Sequence, residues 1–230
     1  MACLMGAFLI CGLRVTPIHA FMGEFISTDG KDMALIAGFR RSDIDYESSD
    51  TDAGDIDRTI YSIGLSKSVT PKIKVFGSFN YTADGELGGN NADLDSGYSL
   101  TAGAGYTFWE QEKYSLEAYG ELNYIIEEKF EHAQTDRDLT LDGYELIAGV
   151  MGSYHIHPRL DAYGALQYVT LSDLTMDVSS PTIDENWDIE REDRLGAKLG
   201  LIYDLSAWFV KAEVGMVSEQ GIGVYCGLKF

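Results

Sequence analysis

The chain has 230 residues, with 25 Gly and 14 Tyr against only 4 Pro, and its 17 basic and 37 acidic residues give a net charge of −20. A charge of that sign excludes the basic footprint of a nucleic-acid binder, and a mean hydropathy of −0.09 is too polar for a bundle of transmembrane helices. Beyond residue 20 no apolar run approaches the ~20 residues a spanning helix requires, so any membrane must be crossed by strands.

Residues 1–20 read as a cleaved leader. The apolar run from Cys3 to Leu13 has the length of a signal-peptide core, Pro17 breaks it, and Ala20 suits cleavage before Phe21. Cys3 and Cys11 leave with the leader. A lone Cys226 then allows neither an intrachain disulfide nor a metal cluster of CxxC type. Residues 21–230 are expected to form one domain, since barrels of this length run as single units.

From Met33 onward the sequence repeats one theme: period-2 alternation followed by a polar break. Ten segments show it, at 33–42, 57–69, 72–82, 96–108, 113–128, 139–156, 159–173, 190–203, 207–217 and 220–230. Period 2 puts alternate side chains on opposite faces of a strand. The breaks after even-numbered segments are tight, such as Val69-Thr70-Pro71-Lys72 and Ile156-His157-Pro158-Arg159. Those after odd-numbered segments, at 43–56, 83–95, 129–138 and 174–189, are longer, acidic and expected to be loops; only the last, Ser218-Glu219, is short. An even number of strands with short turns at one end and long loops at the other is the pattern of a transmembrane barrel. The expected fold is all-β: a single antiparallel up-and-down transmembrane β-barrel of ten strands, with eight or twelve as alternatives. Both chain ends then fall on the short-turn, periplasmic side.

One face of each segment is apolar. In the last it carries Ile222, Val224, Cys226, Leu228 and Phe230, against Gly221, Gly223, Tyr225, Gly227 and Lys229 opposite. A soluble barrel would alternate too. However, the polar face here is rich in Gly, which weakens a water-exposed strand but suits a cramped interior. Aromatics also gather at segment ends. Tyr106, Phe108, Trp109, Tyr114, Tyr154, Tyr203, Trp208 and Phe230 would form one belt, and Tyr61, Tyr81, Tyr98, Tyr124, Tyr144 and Tyr168 the other. Two such belts mark the two membrane–water interfaces of a barrel.

With this leader, ten amphipathic strands and the ending Leu228-Lys229-Phe230, the chain resembles the outer-membrane β-barrel superfamily of Gram-negative bacteria, which includes the OmpA-, OmpX- and Opa-like small barrels. The resemblance is architectural, covers about residues 21–230, and departs from the best-known small members, which have eight strands. It implies residence in the outer membrane among its lipid and lipopolysaccharide. It also implies that Leu228 and Phe230 form the signal read by the barrel-assembly machinery.

The inward face should carry Lys74, Glu117, Glu121, Glu145, Asp161, Arg194, Lys198, Lys211, Glu213 and Lys229. Charges in a closed lumen are costly unless paired, so a network of cross-barrel ion pairs is expected. Side chains just fill a barrel of about eight strands, and wide aqueous channels appear at about sixteen. Ten strands therefore favour a plugged or narrow lumen, with a narrow porin-like channel for ions or small solutes as the alternative. Protease barrels of the omptin type use Asp-Asp and Asp-His pairs at their outer rim. Asp43-Ile44-Asp45, Asp55-Ile56-Asp57 and Asp93-Leu94-Asp95 supply aspartates, but no Asp-x-His follows, and His155 and His157 sit by a periplasmic turn. His132 stands alone beside Glu131. No catalytic set and no cofactor is expected, and a rim hydrolase ranks last. Asp43, Asp45, Asp50, Asp52, Asp55 and Asp57 crowd the first long break. Their oxygens suit a divalent cation of the Ca²⁺ or Mg²⁺ type, weighed against an ordinary solvated loop. The expected function is a non-enzymatic barrel serving surface contact, adhesion or envelope integrity, with an extracellular ligand left open.

Overall fold

A computed structural model describes residues 33–48, 52–88, 92–132, 137–180, 183–217 and 220–230. The expected leader, Asp50 and the turn Ser218-Glu219 lie outside these residues. The chain is all-β, with strands β1 (Met33–Ser48), β2 (Asp52–Thr70), β3 (Ile73–Leu87), β4 (Ala92–Glu110), β5 (Tyr114–His132), β6 (Arg137–His157), β7 (Leu160–Ser180), β8 (Ile183–Arg191), β9 (Leu195–Leu205), β10 (Trp208–Val217) and β11 (Gln220–Lys229). Every neighbouring pair is antiparallel, and β11 returns to β1, so the sheet closes into a barrel. Backbone hydrogen bonds of 3.1 and 3.0 Å between Met33 and Phe230 fasten the closure at its base. We call the end bearing the tight turns and Phe230 proximal, and the other distal.

Ten strands close the proximal part, as the segment count predicts. The eleventh element has a simple origin. Leu174 faces Ile189 and Tyr168 faces Leu195, so β8 and β9 lie on β7 in one unbroken register. They are the distal and proximal halves of a single barrel strand, interrupted at residues 192–194. The hairpin β10–β11 is short, and β11 pairs with β1 only from Ala34 to Asp43. Beyond its tip, Tyr46, Glu47 and Ser48 of β1 pair instead with Arg191, Glu190 and Ile189 of β8. The barrel thus narrows from ten strands to eight.

The long breaks expected as loops are in large part strand. Residues 43–48, 52–56, 83–87, 92–95, 129–132, 137–138, 174–180 and 183–189 continue the ladders past the distal aromatics. Alternation itself carries on, as in Asp43-Ile44-Asp45-Tyr46-Glu47, but with acidic residues taking the outward places. Gly143, at φ 129° opposite Leu174, marks a tight point in this region, where a Cβ would run into the Asp173 carbonyl. L residues avoid that conformation, so only glycine fits.

Between the two aromatic levels the outward residues are apolar and exposed, among them Leu65, Leu100, Leu122, Val150, Leu166 and Leu199. The members of Tyr98–Phe108, Tyr114–Tyr124 and Tyr144–Tyr154 stand ten positions apart on one strand. At ~3.3 Å per residue and a tilt of about 40°, that span is roughly 25 Å, the height of a lipid-facing band. Adjacent belt members touch: the Tyr81 and Tyr98 rings lie 5.4 Å apart, and Tyr114 and Tyr154 lie 4.9 Å apart.

The inward glycines have a specific use. Gly38, Gly103, Gly149, Gly200 and Gly227 are the direct cross-strand partners of Tyr225, Phe76, Tyr119, Tyr163 and Phe209. Each ring lies over its glycine, in space a Cβ would occupy. Such aromatic–glycine pairs fix register and let large rings lie flat in a narrow interior.

Candidate functional site

The interior of the barrel is layered. At the distal end, Ile44, Tyr46, Ile56, Leu87, Ile125, Phe130, Leu141, Leu174, Met176 and Ile189 pack with four further buried residues into an apolar core, and Trp187 leans against it. These side chains come from β1 to β8, so every strand of the eight-stranded section contributes to one inward apolar cluster.

Beneath that core lies a layer of buried charge. Arg58 of β2 pairs with Glu128 of β5, with side-chain exposures of only 4% and 2%. Arg58 also donates to the Tyr46 hydroxyl at 2.9 Å, and the Thr82 hydroxyl donates to Glu128 at 3.1 Å. Arg191 of β8 grips Glu145 of β6 with two donors, one at 2.7 Å. A bidentate guanidinium–carboxylate contact is the strong form of such a bond, and pairing is what makes these charges tolerable away from water. Lower down, Asn80 donates to Ser99 and Thr101 at 3.1 Å each, in a wall of small polar groups. The Ser42 and Ser62 hydroxyls are buried there without a hydrogen-bond partner.

A second apolar cluster crosses the proximal half, formed by Ile36, Tyr119, Met151, Tyr163, Ile202, Phe209 and Tyr225 with Ala34 and Ala165. Lys211 is embedded in it, 2.6 Å from Glu213 and 5.2 and 5.3 Å from the centres of the Tyr163 and Tyr225 rings. Tyr163 donates its hydroxyl to Glu213.

Of the residues expected in the lumen, Glu117, Glu121, Glu145, Lys198, Lys211, Glu213 and Lys229 are buried in the interior. Lys229 pairs with Asp204. Lys74 is half-buried, 4.0 Å from Glu117, and Asp161 accepts from His155 near the proximal turn. Arg194 does not join them. It sits at the interruption between β8 and β9 and pairs with Glu190, at exposures of 37% and 55%. The sequence pattern missed Arg40, Arg58, Glu128 and Arg191, which are also buried. Arg58, Glu128 and Arg191 fall where the facing residues turn apolar, and a bulge between Ile125 and Glu128 shifts the parity of β5.

The distal outer surface is acidic in an ordered way. Asp43, Asp57, Glu86, Asp93, Glu131 and Asp138 are successive cross-strand partners from β1 to β6, a continuous row of six carboxylates. Like charges directly opposite one another destabilise a sheet. Arg41 relieves the row at one point by pairing with Asp57. Asp43, Asp45 and Asp55 bring carboxylate oxygens within 4.8 Å of one another, a set able to hold a hard cation. Asp57 is engaged elsewhere, Asp50 lies outside the described residues, and so does the side chain of Asp52. A hydrogen bond with Asp55, partial burial and the charges of Asp55, Asp43 and Glu192 push the Asp45 carboxyl up to about 6. His155 and His157 stand at the proximal turn and this aspartate cluster at the distal end, so no His–Asp pair forms between them. The side chain of His132 lies outside the described residues. Leu228 and Phe230 face outward on the closing strand, and Phe230 is exposed.

A closed barrel, an apolar band bounded by two aromatic belts and a charged interior define an outer-membrane β-barrel. The same architecture occurs in the translocator domain of the autotransporter NalP from Neisseria meningitidis, at a TM-score of 0.54 and 13% identity over 87% of this chain and 89% of that one. The outer-membrane protease OmpT from Escherichia coli gives 0.48 at 10% identity, covering 90% of this chain and 99% of its own. OprG from Pseudomonas aeruginosa gives 0.48 at 13% identity, covering 87% and 96%. At such identities the likeness is one of fold. The chain belongs to the family described as protein of unknown function DUF481, whose model matches residues 40–173, from the middle of β1 into β7. A search of curated proteins finds no match.

Proposed function

We propose that this protein is a sealed, non-enzymatic outer-membrane barrel that presents a rigid acidic cap to the outside, for surface contact or for stiffening the envelope. In this reading the distal end is extracellular, both chain ends are periplasmic, and lipopolysaccharide surrounds the apolar band. The assembly machinery reads Leu228 and Phe230 on the closing strand.

One observation carries the proposal: the fourteen-residue apolar core to which all eight strands of the distal end contribute. A dry plug of close-packed side chains offers an ion neither hydration nor charge. The proximal cluster repeats the obstruction. The separation of His155 and His157 from the distal aspartates speaks against an omptin-type rim protease, because nucleophile, base and orienting group must converge.

Planar-bilayer recording of the purified protein tests the reading. Sealed barrels should leave the bilayer at its baseline. A stable, reproducible channel conductance would overturn the proposal in favour of a narrow pore.

A further inference from the structure

The wall of the eight-stranded section is not uniform. β8 shares seven register pairs with β7, from Leu174–Ile189 to Ser180–Ile183, but only three with β1 among the described residues. One further bond, from the Glu192 amide to the Asp45 carbonyl at 3.2 Å, completes that seam. On its outer side the seam sets like charges together. Glu47 lies directly opposite Glu190, whose charge Arg194 offsets only from an exposed position, and the Glu192 carboxylate acts on Asp45. On its inner side Arg191 draws β8 inward by its bidentate grip on Glu145 of β6. The ladder of β8 and β9 on β7 is interrupted at Glu192 and Asp193, while Arg194 already accepts from the Val169 amide at 2.8 Å, so β8 can turn at those two residues with the start of β9 held on β7.

We propose that β8 is a shutter: it parts from β1 along this seam, hinged at residues 192 and 193, and opens the polar layer beneath the apolar core to the distal side. Outer carboxylates push it open, and the Arg191–Glu145 clamp holds it shut. Short seams opposed by like charge belong to the least protected part of a fold. Loss of one partner from a buried ion pair leaves the other uncompensated and drives it toward water. In this case the other is Arg191, which would carry the end of β8 with it. The inference rests on the sealed reading, because a shutter matters only where the resting wall is closed.

The test places a reporter at Ser42, which is buried with its hydroxyl facing the polar layer. Ser42→Cys is made in a Cys226→Ser background, since Cys226 is free and exposed. The full chain in detergent is exposed to a cationic, water-soluble methanethiosulfonate, and modification of residue 42 is followed by mass spectrometry. Glu145→Gln should speed labelling by tenfold or more, as loss of a buried partner implies. A disulfide across Glu47→Cys and Glu190→Cys should return it to the slow rate. Unchanged labelling in a folded Glu145→Gln protein, or a rate the disulfide leaves untouched, overturns the shutter. Should Glu145→Gln fail to assemble, the parent with and without the disulfide decides alone: equal rates sink the idea. Fast labelling in every form, the disulfide-locked one included, would instead count against the sealed reading itself.

Discussion

The two halves of this barrel invert each other's chemistry along the same strands. In β1, Leu35 and Phe39 face outward while Arg40 and Ser42 face inward; a few residues further, Asp43 and Glu47 face outward while Ile44 and Tyr46 face inward. β5 makes the same exchange, from Leu122 outside and Glu121 inside to Glu131 outside and Phe130 inside. The β1–β2 ladder runs through the crossover, and the backbone adjustments at that level, the bulge between Ile125 and Glu128 and the break at residues 192–194, leave the strands paired on either side. What changes is the solvent. Lipid outside demands apolar side chains there and confines polar groups to the interior, whereas water outside restores the ordinary arrangement of an apolar core under a charged surface. The buried pairs Arg58–Glu128 and Arg191–Glu145 occupy the level where one regime gives way to the other.

This comparison can be broken at either half. Phe130→Ala empties the centre of the distal core, where Phe130 is fully buried, and should cost about 3–5 kcal/mol of cap stability. Hydrogen exchange should show the distal ends of β1–β8 losing protection while the belt-to-belt section keeps its own. Uniform loss along whole strands would mean that the two halves fold as one unit. Gly200→Ala addresses the other half, where Tyr163 lies over Gly200. Overpacking there should cost about 1–3 kcal/mol, read as a lower urea midpoint for the spanning section with cap protection unchanged.

The smallest effect should come from Asp45. Its folded carboxyl titrates near 6, above the ~3.9 of an unfolded Asp, so the folded state holds the proton more tightly. Stability is therefore lost as pH rises from about 4 to 6. Asp45→Asn should raise the melting temperature at pH 8 and leave it unchanged at pH 4. The gain should stay below about 1 kcal/mol, because the group is largely solvent-screened. An equal gain at both pH values would show that charge is not the cause.

Much of this was legible in the sequence, because a sheet with different solvents on its two faces writes a period of two. The alternation located ten strands, the aromatics at segment ends located the belts, and the inward glycines foretold a cramped interior. The cap was written in the same period, in Asp43-Ile44-Asp45-Tyr46-Glu47 and Asp173-Leu174-Thr175-Met176-Asp177. Its inverted polarity made it resemble solvated loop, since acidic residues are read as exposed whether or not the backbone between them is paired.

The sequence by itself determined the fold class, the faces and the level of the membrane, all of which follow from local periodicity against lipid and water. Only the tertiary structure decided which charges meet. Arg58 finds Glu128 seventy residues away and Arg191 finds Glu145 across β7, because closure and register set those distances. It also decided that β8 abandons the short hairpin β10–β11 to close on β1. That step turns ten strands into eight, and it depends on where a hairpin ends relative to a strand remote in sequence, which no local pattern records.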